Sequence, residues 1–212
     1  MVRSALCYGD SNTWGSDPTS PYDRFPPDVR WTGVTARELG ADWQVVEAGL
    51  GDRTTVFERL PLPYRSGRDL LVPTMDTHHP LDVVLIMLGT NDVYIPYLEI
   101  DAIVRGAGEL VLMVQEASDF GPSAGVAPQV LLIAPPVVGP LPPKEMELYG
   151  GAVERSEQLG EAYEGIAELL HCSFLDLAPL VKNSPVDGWH LDAAGHHTAG
   201  LAMAGALRGM FL

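Results

Sequence analysis

The segment from Asp82 to Gly89, "DVVLIMLG", constrains the fold of this chain more than any other feature. Its six central residues are apolar without interruption, and the run ends at a glycine. Such a run indicates a strand that is covered on both faces, as the central strands of parallel sheets are. The chain must therefore supply helices for both faces of a sheet.

Four further segments share this strand pattern, and amphipathic segments alternate with them. The predicted strands are 4–9, 43–51, 82–89, 129–136 and 173–181. The predicted helices are 30–40, 99–118, 144–170 and 192–211, of which the third is weakened by Gly150-Gly151 and the last begins at Asp192 as N-cap. Alternation of this kind predicts an α/β fold of three layers, α/β/α, with a five-stranded parallel sheet of the flavodoxin-like type.

Three segments carry no clear periodicity and are rich in proline: 16–29, 56–80 and 135–143. Proline stiffens a loop without joining a strand ladder, so these segments are predicted to form walls around a site. No repeat or linker divides the chain, which predicts a single domain over residues 1–212.

The net charge of the chain indicates which classes of partner it does not bind. The chain has 28 Asp and Glu against 13 Lys and Arg, a formal net charge of −15. Such a surface repels phosphate backbones and anionic lipid headgroups, which argues against nucleic-acid and membrane partners. No signal-peptide pattern and no apolar run of ~18 residues is visible, so we predict a cytoplasmic protein. The apolar last helix, which ends in "MFL", favours a homo-oligomer.

Polar residues gather directly after the predicted strands. Gly9-Asp10-Ser11 follows the first strand, Gly89-Thr90-Asn91-Asp92 the third, and Asp187-Gly188-Trp189-His190 comes after the fifth. The carboxyl ends of parallel strands meet at one edge of the sheet, where ligands bind. These segments are therefore predicted to form one site.

The residue types in that site suit acyl transfer. A serine hydroxyl needs an adjacent base, and a histidine base needs a third group that fixes its tautomer. We predict that Asp187 binds Nδ1 of His190 and that Nε2 faces Ser11. The developing oxyanion needs donors, for which the residues offer the Ser11 N–H, a backbone N–H from the Gly51-Asp52 turn and the Asn91 amide.

The four blocks together resemble the SGNH, or GDSL-type, hydrolases. The blocks are "YGDSNTWG" with Ser11, "GLGDRTT", "LGTND" with Asn91, and "DGWH" with Asp187 and His190. The segments "RFPPDVRWTGV", "GLGDRTT" and "IMLGTND" look closest to the branch of bacterial aryl esterases and acyltransferases. The resemblance implies the SGNH hydrolase fold, no cofactor, frequent oligomers and short acyl esters as small-molecule substrates. It predicts a serine esterase for aryl or alkyl acetates that also transfers acyl groups to alcohols.

One block departs from the pattern of the family. With the Thr54-Thr55 pair aligned, the oxyanion glycine of the family falls on Asp52, and Gly51 precedes it. A carboxylate beside a forming oxyanion is costly unless it points away, and Arg53 is the expected partner. The sequence leaves open whether Asp52 or Gly51 supplies the N–H.

Three further residues are assigned to the substrate pocket. Trp14 and Trp189 flank the predicted catalytic residues and are expected as pocket walls, and Asp10 is placed with them, although its main expected role is to order the turn. The adjacent pairs His78-His79 and His196-His197 point in different directions, so no metal site is predicted.

Two alternative functions stay open. A carbohydrate O-acetyl esterase needs the same triad. A non-catalytic flavodoxin-like module that binds a phosphate-bearing ligand explains the fold and the glycines. It gives no reason for an Asp-x-x-His pair beside a serine.

Overall fold

The predicted five-stranded parallel sheet is confirmed. The computed structural model describes residues 2–59, 61–149 and 151–212. Its strands are β1 (Arg3–Gly9), β2 (Ser16–Asp17), β3 (Ser20–Arg24), β4 (Trp43–Gly49), β5 (Val83–Met87), β6 (Gln129–Ala134) and β7 (Ser173–Asp176). The main sheet has the order β4-β1-β5-β6-β7, and each neighbouring pair is parallel. β2 and β3 form a separate antiparallel hairpin.

Helices cover both faces of the main sheet. They are α1 (Ser11–Trp14), α2 (Trp31–Leu39), α3 (Gly67–His78), α4 (Ile100–Gln115), α5 (Pro143–Tyr149), α6 (Gly151–Glu157), α7 (Leu159–Leu169) and α8 (Ala193–Met210). A short 3₁₀ helix, Gly40–Asp42, joins α2 to β4. Among the described residues, no helix has the length and apolar character needed to cross a membrane.

Alternate residues of each strand bury opposite faces of the sheet, as the period of a strand requires. In β1, Leu6 and Tyr8 belong to one apolar cluster, together with buried side chains of α3, α4 and α7. Ala5 and Cys7 belong to a second cluster with Trp31 at the start of α2 and with the buried face of α8. The three layers predicted from the sequence are therefore confirmed.

Two of the segments predicted as irregular contain regular structure. The segment 56–80 includes α3, which was missed because Pro73 lies inside the helix. Its buried residues Gly67, Leu71 and Met75 recur every fourth position, so the face that packs on the sheet is narrow. The segment 16–29 contains the β2–β3 hairpin.

The predicted boundaries change most in two elements. The helix predicted over 144–170 is divided into α5, α6 and α7. Of the two glycines that weaken its pattern, Gly151 begins α6, and Gly150 lies outside the described residues. The last strand ends at Asp176 rather than at residue 181, because an Asp176 carboxylate oxygen accepts the N–H of Ala178 at 2.9 Å and turns the chain. α8 begins as predicted, with Asp192 accepting the N–H of Gly195 at 2.8 Å.

Candidate active site

The candidate site lies where the strand order of the sheet reverses. From β1 the chain continues to β4 on one side, and it returns to β5 on the other side of β1. The carboxyl ends of strands at such a switch point form the usual ligand crevice of open α/β sheets. A cavity of about 430 Å³ is found there. Its lining residues come from several of the predicted blocks and include Ser11, Trp14, Gly51, Asp52, Arg59, Asn91, Tyr94, Trp189 and His190.

Ser11, His190 and Asp187 form one hydrogen-bonded chain at this cavity. Ser11 Oγ lies 3.0 Å from His190 Nε2, and His190 Nδ1 lies 2.6 Å from Asp187 Oδ2. Since an ionised carboxylate only accepts hydrogen bonds, Nδ1 carries the proton and Nε2 is free to accept the serine proton. The arrangement provides a hydroxyl, a base and a group that orients the base.

A local turn brings Asp187 to the imidazole ring. Asp187 Oδ1 accepts the N–H of Trp189 at 2.9 Å and the N–H of His190 at 3.1 Å. Gly188, which follows Asp187 in this turn, has a φ of +78°. Partial burial opposes a charge on Asp187. The hydrogen bonds from the His190 ring and from these N–H groups outweigh it, and the pKa of the carboxyl is lowered. Asp187 is therefore ionised at neutral pH.

Asn12 connects the serine block to the histidine block, a role that the sequence did not reveal. Its Nδ2 donates to the carbonyl of Trp189 at 3.1 Å, and its Oδ1 accepts the N–H of Leu191 at 2.9 Å. The side chain thus holds the backbone on both sides of His190. Asn12 follows Ser11 directly, so the two halves of the Ser11–His190 pair are fixed to each other through one buried side chain.

Asp10 caps α1 and does not line the cavity. Its carboxylate accepts the N–H of Asn12 at 2.9 Å, and the residue is 1% exposed. The prediction that Asp10 belongs to the pocket is therefore wrong. Its hydrogen bond to the Asn12 N–H orders the turn, which was its main expected role. α1 can approach β4 closely only because residue 49 is glycine, since a Cβ there would lie 2.0 Å from the Trp14 nitrogen.

The predicted oxyanion donors lie around the same cavity. Ser11, Gly51, Asp52 and Asn91 all line it. The turn after β4 is closed by the N–H of Arg53, which donates to the Leu50 carbonyl at 3.2 Å. Asp52 in this turn has a φ of +61°, in the left-handed region that favours glycine. The choice between the Asp52 and Gly51 N–H groups stays a prediction.

The sequence predicts Arg53 as the partner of Asp52, and this prediction is wrong. The Asp52 carboxylate pairs with Arg59. The guanidinium of Arg53 is instead buried over the Tyr8 ring and donates to the carbonyls of Gly9, at 2.7 Å, and Ala48. These contacts hold it at the ends of β1 and β4 and leave Arg59 as the partner of Asp52.

Asn91 is held at both ends of its amide. Its Nδ2 donates to the Arg53 carbonyl at 3.0 Å, and its Oδ1 accepts from Arg59 Nη1 at 2.8 Å. An amide nitrogen has two hydrogens, and the Arg53 carbonyl accepts one of them.

Trp14 and Trp189 both line the cavity, where the sequence placed them. Tyr94 stacks on Trp189 with ring centroids 3.5 Å apart, and Trp189 Nε1 donates to Glu145 Oε2 at 2.8 Å. The contacts of Tyr94 and Glu145 were not predicted, because neither residue belongs to a motif. They fix the indole wall that lies beside His190.

Two carboxyls beneath the site are fully buried. Burial raises the pKa of Asp10 to about 6, against the hydrogen bond from the Asn12 N–H and the charge of Arg53. Burial likewise raises the pKa of Asp92 to about 6, although Thr55 donates its hydroxyl and its N–H to that carboxyl. The two carboxyls also repel each other, which adds to the effect on Asp92.

The raised pKa of Asp92 predicts a stability that falls as the pH rises. Between the unfolded pKa near 4 and the folded pKa of about 6, the folded state binds more protons than the unfolded state, so its advantage declines through this window and is gone above it. The Asp92→Asn variant lacks this decline. We expect the free energy of unfolding of the wild type, minus that of the variant, to fall by roughly 1–3 kcal/mol between pH 4 and pH 7.

Urea unfolding at several pH values measures this difference, and Asp119→Asn, which removes an exposed carboxylate, is the matched control. A difference for Asp92→Asn that stays constant or rises with pH would contradict the prediction.

No metal site accompanies these groups: in the ranges 2–59, 61–149 and 151–212, no three His, Cys, Asp or Glu side chains are placed to hold an ion together. The polar groups of the cavity belong instead to the serine, histidine and amide arrangement described above.

The chain matches a known protein family over most of its length. Residues 7–198 match the model of the GDSL-like lipase/acylhydrolase family. The chain belongs to this family. By family and fold it is a carboxylic ester hydrolase, and the resemblance seen in the sequence is confirmed.

Several solved structures are similar over the full chain. An aryl esterase of M. smegmatis is 36% identical with a TM-score of 0.93, and the match covers 98% of this chain and 99% of that one. A carbohydrate acetylesterase from Sinorhizobium meliloti is 35% identical with a TM-score of 0.93, over 99% and 100% of the two chains. An acetylxylan esterase mutant from Geobacillus stearothermophilus, 18% identical with a TM-score of 0.64 over 97% and 94%, shares the fold. The comparison with curated proteins finds no match.

Proposed function

We propose that this protein is a serine esterase that cleaves short-chain carboxylic esters through an acyl-enzyme on Ser11. The observation that carries the proposal is the unbroken hydrogen-bonded chain from Ser11 Oγ through His190 to Asp187, with distances of 3.0 and 2.6 Å, at the wall of a cavity. The similarity to an aryl esterase and to a carbohydrate acetylesterase supports esters as the substrate class.

In the proposed mechanism, His190 Nε2 takes the Ser11 proton as Oγ attacks the ester carbonyl. The oxyanion is stabilised by the Ser11 N–H, an N–H of the Gly51-Asp52 turn and the free Asn91 N–H. When the intermediate collapses, the imidazolium gives its proton to the leaving alkoxide, and the acyl group stays on Ser11. Water, or an alcohol in the acyltransfer reaction, then enters with its proton taken by His190, and the second collapse returns the proton to Ser11.

Short acyl groups are the expected substrates. One similar solved structure is a carbohydrate acetylesterase, and Trp14 and Trp189 form part of the cavity wall beside Ser11. We therefore expect acetate and propionate esters to be better substrates than long-chain esters.

Hydrolysis of p-nitrophenyl esters from acetate to dodecanoate, with the wild type and Ser11→Ala in parallel, tests the proposal. Activity that is highest for the short chains and lost in the variant is the expected result. Absence of activity at every chain length, or equal activity in both proteins, would contradict it.

A carbohydrate O-acetyl esterase is the second candidate, because a carbohydrate acetylesterase is as similar to this chain as the aryl esterase is. The ratio of kcat/KM for phenyl acetate to that for an acetylated monosaccharide separates the two. A ligand-binding module without catalysis would turn over neither substrate.

The role of Asn91 gives a quantitative prediction. Asn91→Ala removes one oxyanion donor from the cavity, so kcat for p-nitrophenyl acetate is expected to fall by about 10²–10³ with little change in KM. Steady-state kinetics measure both constants. A rise in KM at unchanged kcat would contradict the assigned role.

The homo-oligomer and the cytoplasmic location remain part of the proposal. Met210 and Phe211 of the "MFL" end pack against the second apolar cluster of this chain, so they support association less than the sequence suggested. Large apolar side chains that are exposed instead include Tyr64, Tyr97 and Leu148. Light scattering coupled to size exclusion measures the assembly, and a mass of one chain at all concentrations would contradict an oligomer.

A further inference from the structure

Asp52 is an unusual residue for its place in the candidate site. Its φ of +61° suits glycine, and asparagine or aspartate tolerate it better than most other residues. It also brings a carboxylate to the wall of a cavity in which the proposed reaction develops negative charge. Something must keep this charge from opposing the reaction.

Arg59 is placed to do so. Its Nη1 pairs with Asp52 Oδ1, and the same nitrogen donates to Asn91 Oδ1 at 2.8 Å. The guanidinium also lies over the Tyr94 ring, 5.2 Å from its centroid. A single side chain therefore contacts two of the residues assigned to the oxyanion site and one residue of the aromatic wall.

We infer that Arg59 is a positioning residue that orients the Asn91 amide and neutralises Asp52, and that it thereby prepares the oxyanion site. The inference rests on the proposed function. No motif of the sequence includes Arg59, and it does not contact Ser11, His190 or Asp187 through any hydrogen bond within the described residues.

The orientation of the amide follows from the chemistry of arginine. A guanidinium only donates hydrogen bonds, so the end of the Asn91 amide that faces Arg59 has to be the carbonyl oxygen. The nitrogen then faces the opposite way, where one hydrogen binds the Arg53 carbonyl at 3.0 Å and the other is free for the oxyanion. Without Arg59 the bond to the Arg53 carbonyl is the one remaining side-chain hydrogen bond of this amide among the described residues, so the amide is held at one end and its free N–H is no longer fixed in direction.

A purely structural role predicts a different outcome. The side chains of Arg59 and Asp52 are 23% and 42% exposed, and ion pairs between side chains as exposed as these contribute little to stability. If the pair only fastened the loop, Arg59→Ala would change stability a little and leave the turnover of the folded enzyme intact. If Arg59 prepares the oxyanion site, kcat falls while stability is nearly unchanged.

The test is the kinetics of Arg59→Ala with p-nitrophenyl acetate, beside urea unfolding of the same protein. We expect kcat to fall by roughly tenfold to a hundredfold, less than the loss for a whole oxyanion donor, with KM changed less than about threefold. Arg59→Lys keeps the charge but not the planar fork and is expected to recover part of the loss. Arg68→Ala is the matched control, because Arg68 is an exposed arginine paired with Glu109 and does not line the cavity.

Double variants separate the inference from a general disturbance. Arg59→Ala is expected to cost less in the Asn91→Ala background, where there is no amide to orient, and less in the Asp52→Gly background, where there is no carboxylate to neutralise. An unchanged kcat in Arg59→Ala, or an equal cost in all three backgrounds, would overturn the inference. Ser11→Ala shows whether the proposed function fails together with the inference. If Ser11→Ala is inactive, only the inference about Arg59 is overturned. If Ser11→Ala keeps full activity, the proposed function itself fails.

Discussion

Replacing Ser11 or His190 by alanine is expected to lower kcat for p-nitrophenyl acetate by about 10⁴–10⁶, and replacing both is expected to lower it no further. The reason is the 3.0 Å contact between Ser11 Oγ and His190 Nε2. Without the imidazole the hydroxyl has no base, and without the hydroxyl the imidazole has no proton to accept. Each variant therefore loses the whole acyl-enzyme route, and what remains is the oxyanion donors and the binding of substrate.

The measurement is steady-state hydrolysis with the two single variants and the double variant, at equal concentrations of folded protein. His197→Ala is the matched control, since His197 is exposed on α8 and its removal takes away an imidazole without touching the cavity. Losses that multiply in the double variant would show that the two residues act independently, and the proposed triad would then be wrong.

The fold could be predicted largely from the sequence because its central strands are covered on both faces. β5 is buried at every position, so its pattern is an apolar run that few other structures produce. The same reasoning failed for α3, where a proline inside the helix hid a real element and only a narrow face is buried. It also failed at the surface segment around α5 and α6, because periodicity in the sequence does not mark where one helix stops and the next begins.

The candidate site, like the fold, could be predicted only in part. Two of the predicted residues, Ser11 and Asn91, follow strands, and the other two, Asp187 and His190, lie close together in one motif. Topology and spacing are therefore enough to bring all four to one edge of the sheet. The residues that hold them were missed. Arg59 and Asn91 are separated by 32 positions, and Asn12 and Leu191 by 179, and no local pattern encodes contacts over such separations. The prediction that Asp52 pairs with Arg53 was wrong for the same reason. It chose the nearest arginine in the sequence, whereas the loop after β4 brings Arg59 to Asp52.

Asn12→Ala is expected to combine a loss of stability with a loss of turnover. Asn12 is 1% exposed, and its removal leaves the carbonyl of Trp189 and the N–H of Leu191 without their partner in the interior. Each unsatisfied buried group costs about 1–3 kcal/mol, so the free energy of unfolding should fall by roughly 2–5 kcal/mol. The same two contacts fix the backbone on both sides of His190. Misplacement of the imidazole by about 1 Å is enough to lower kcat by about 10².

Urea unfolding and kinetics well below the unfolding transition measure the two effects separately. Asn183→Ala is the matched control, because it also deletes a buried carboxamide, which is bound to the Val137 carbonyl at 3.0 Å and makes no hydrogen bond to the backbone of Trp189 or Leu191. It should lose stability while keeping most of its kcat. Asn12→Asp keeps an acceptor for the Leu191 N–H and loses the donor to Trp189, so its kcat should lie between those of the wild type and Asn12→Ala. If Asn12→Ala and Asn183→Ala lose stability alike and both keep their turnover, Asn12 only fills the interior. The alignment of His190 with Ser11 then has to come from the Asp187 turn and from the Ser184 N–H, which donates to the His190 carbonyl at 2.7 Å.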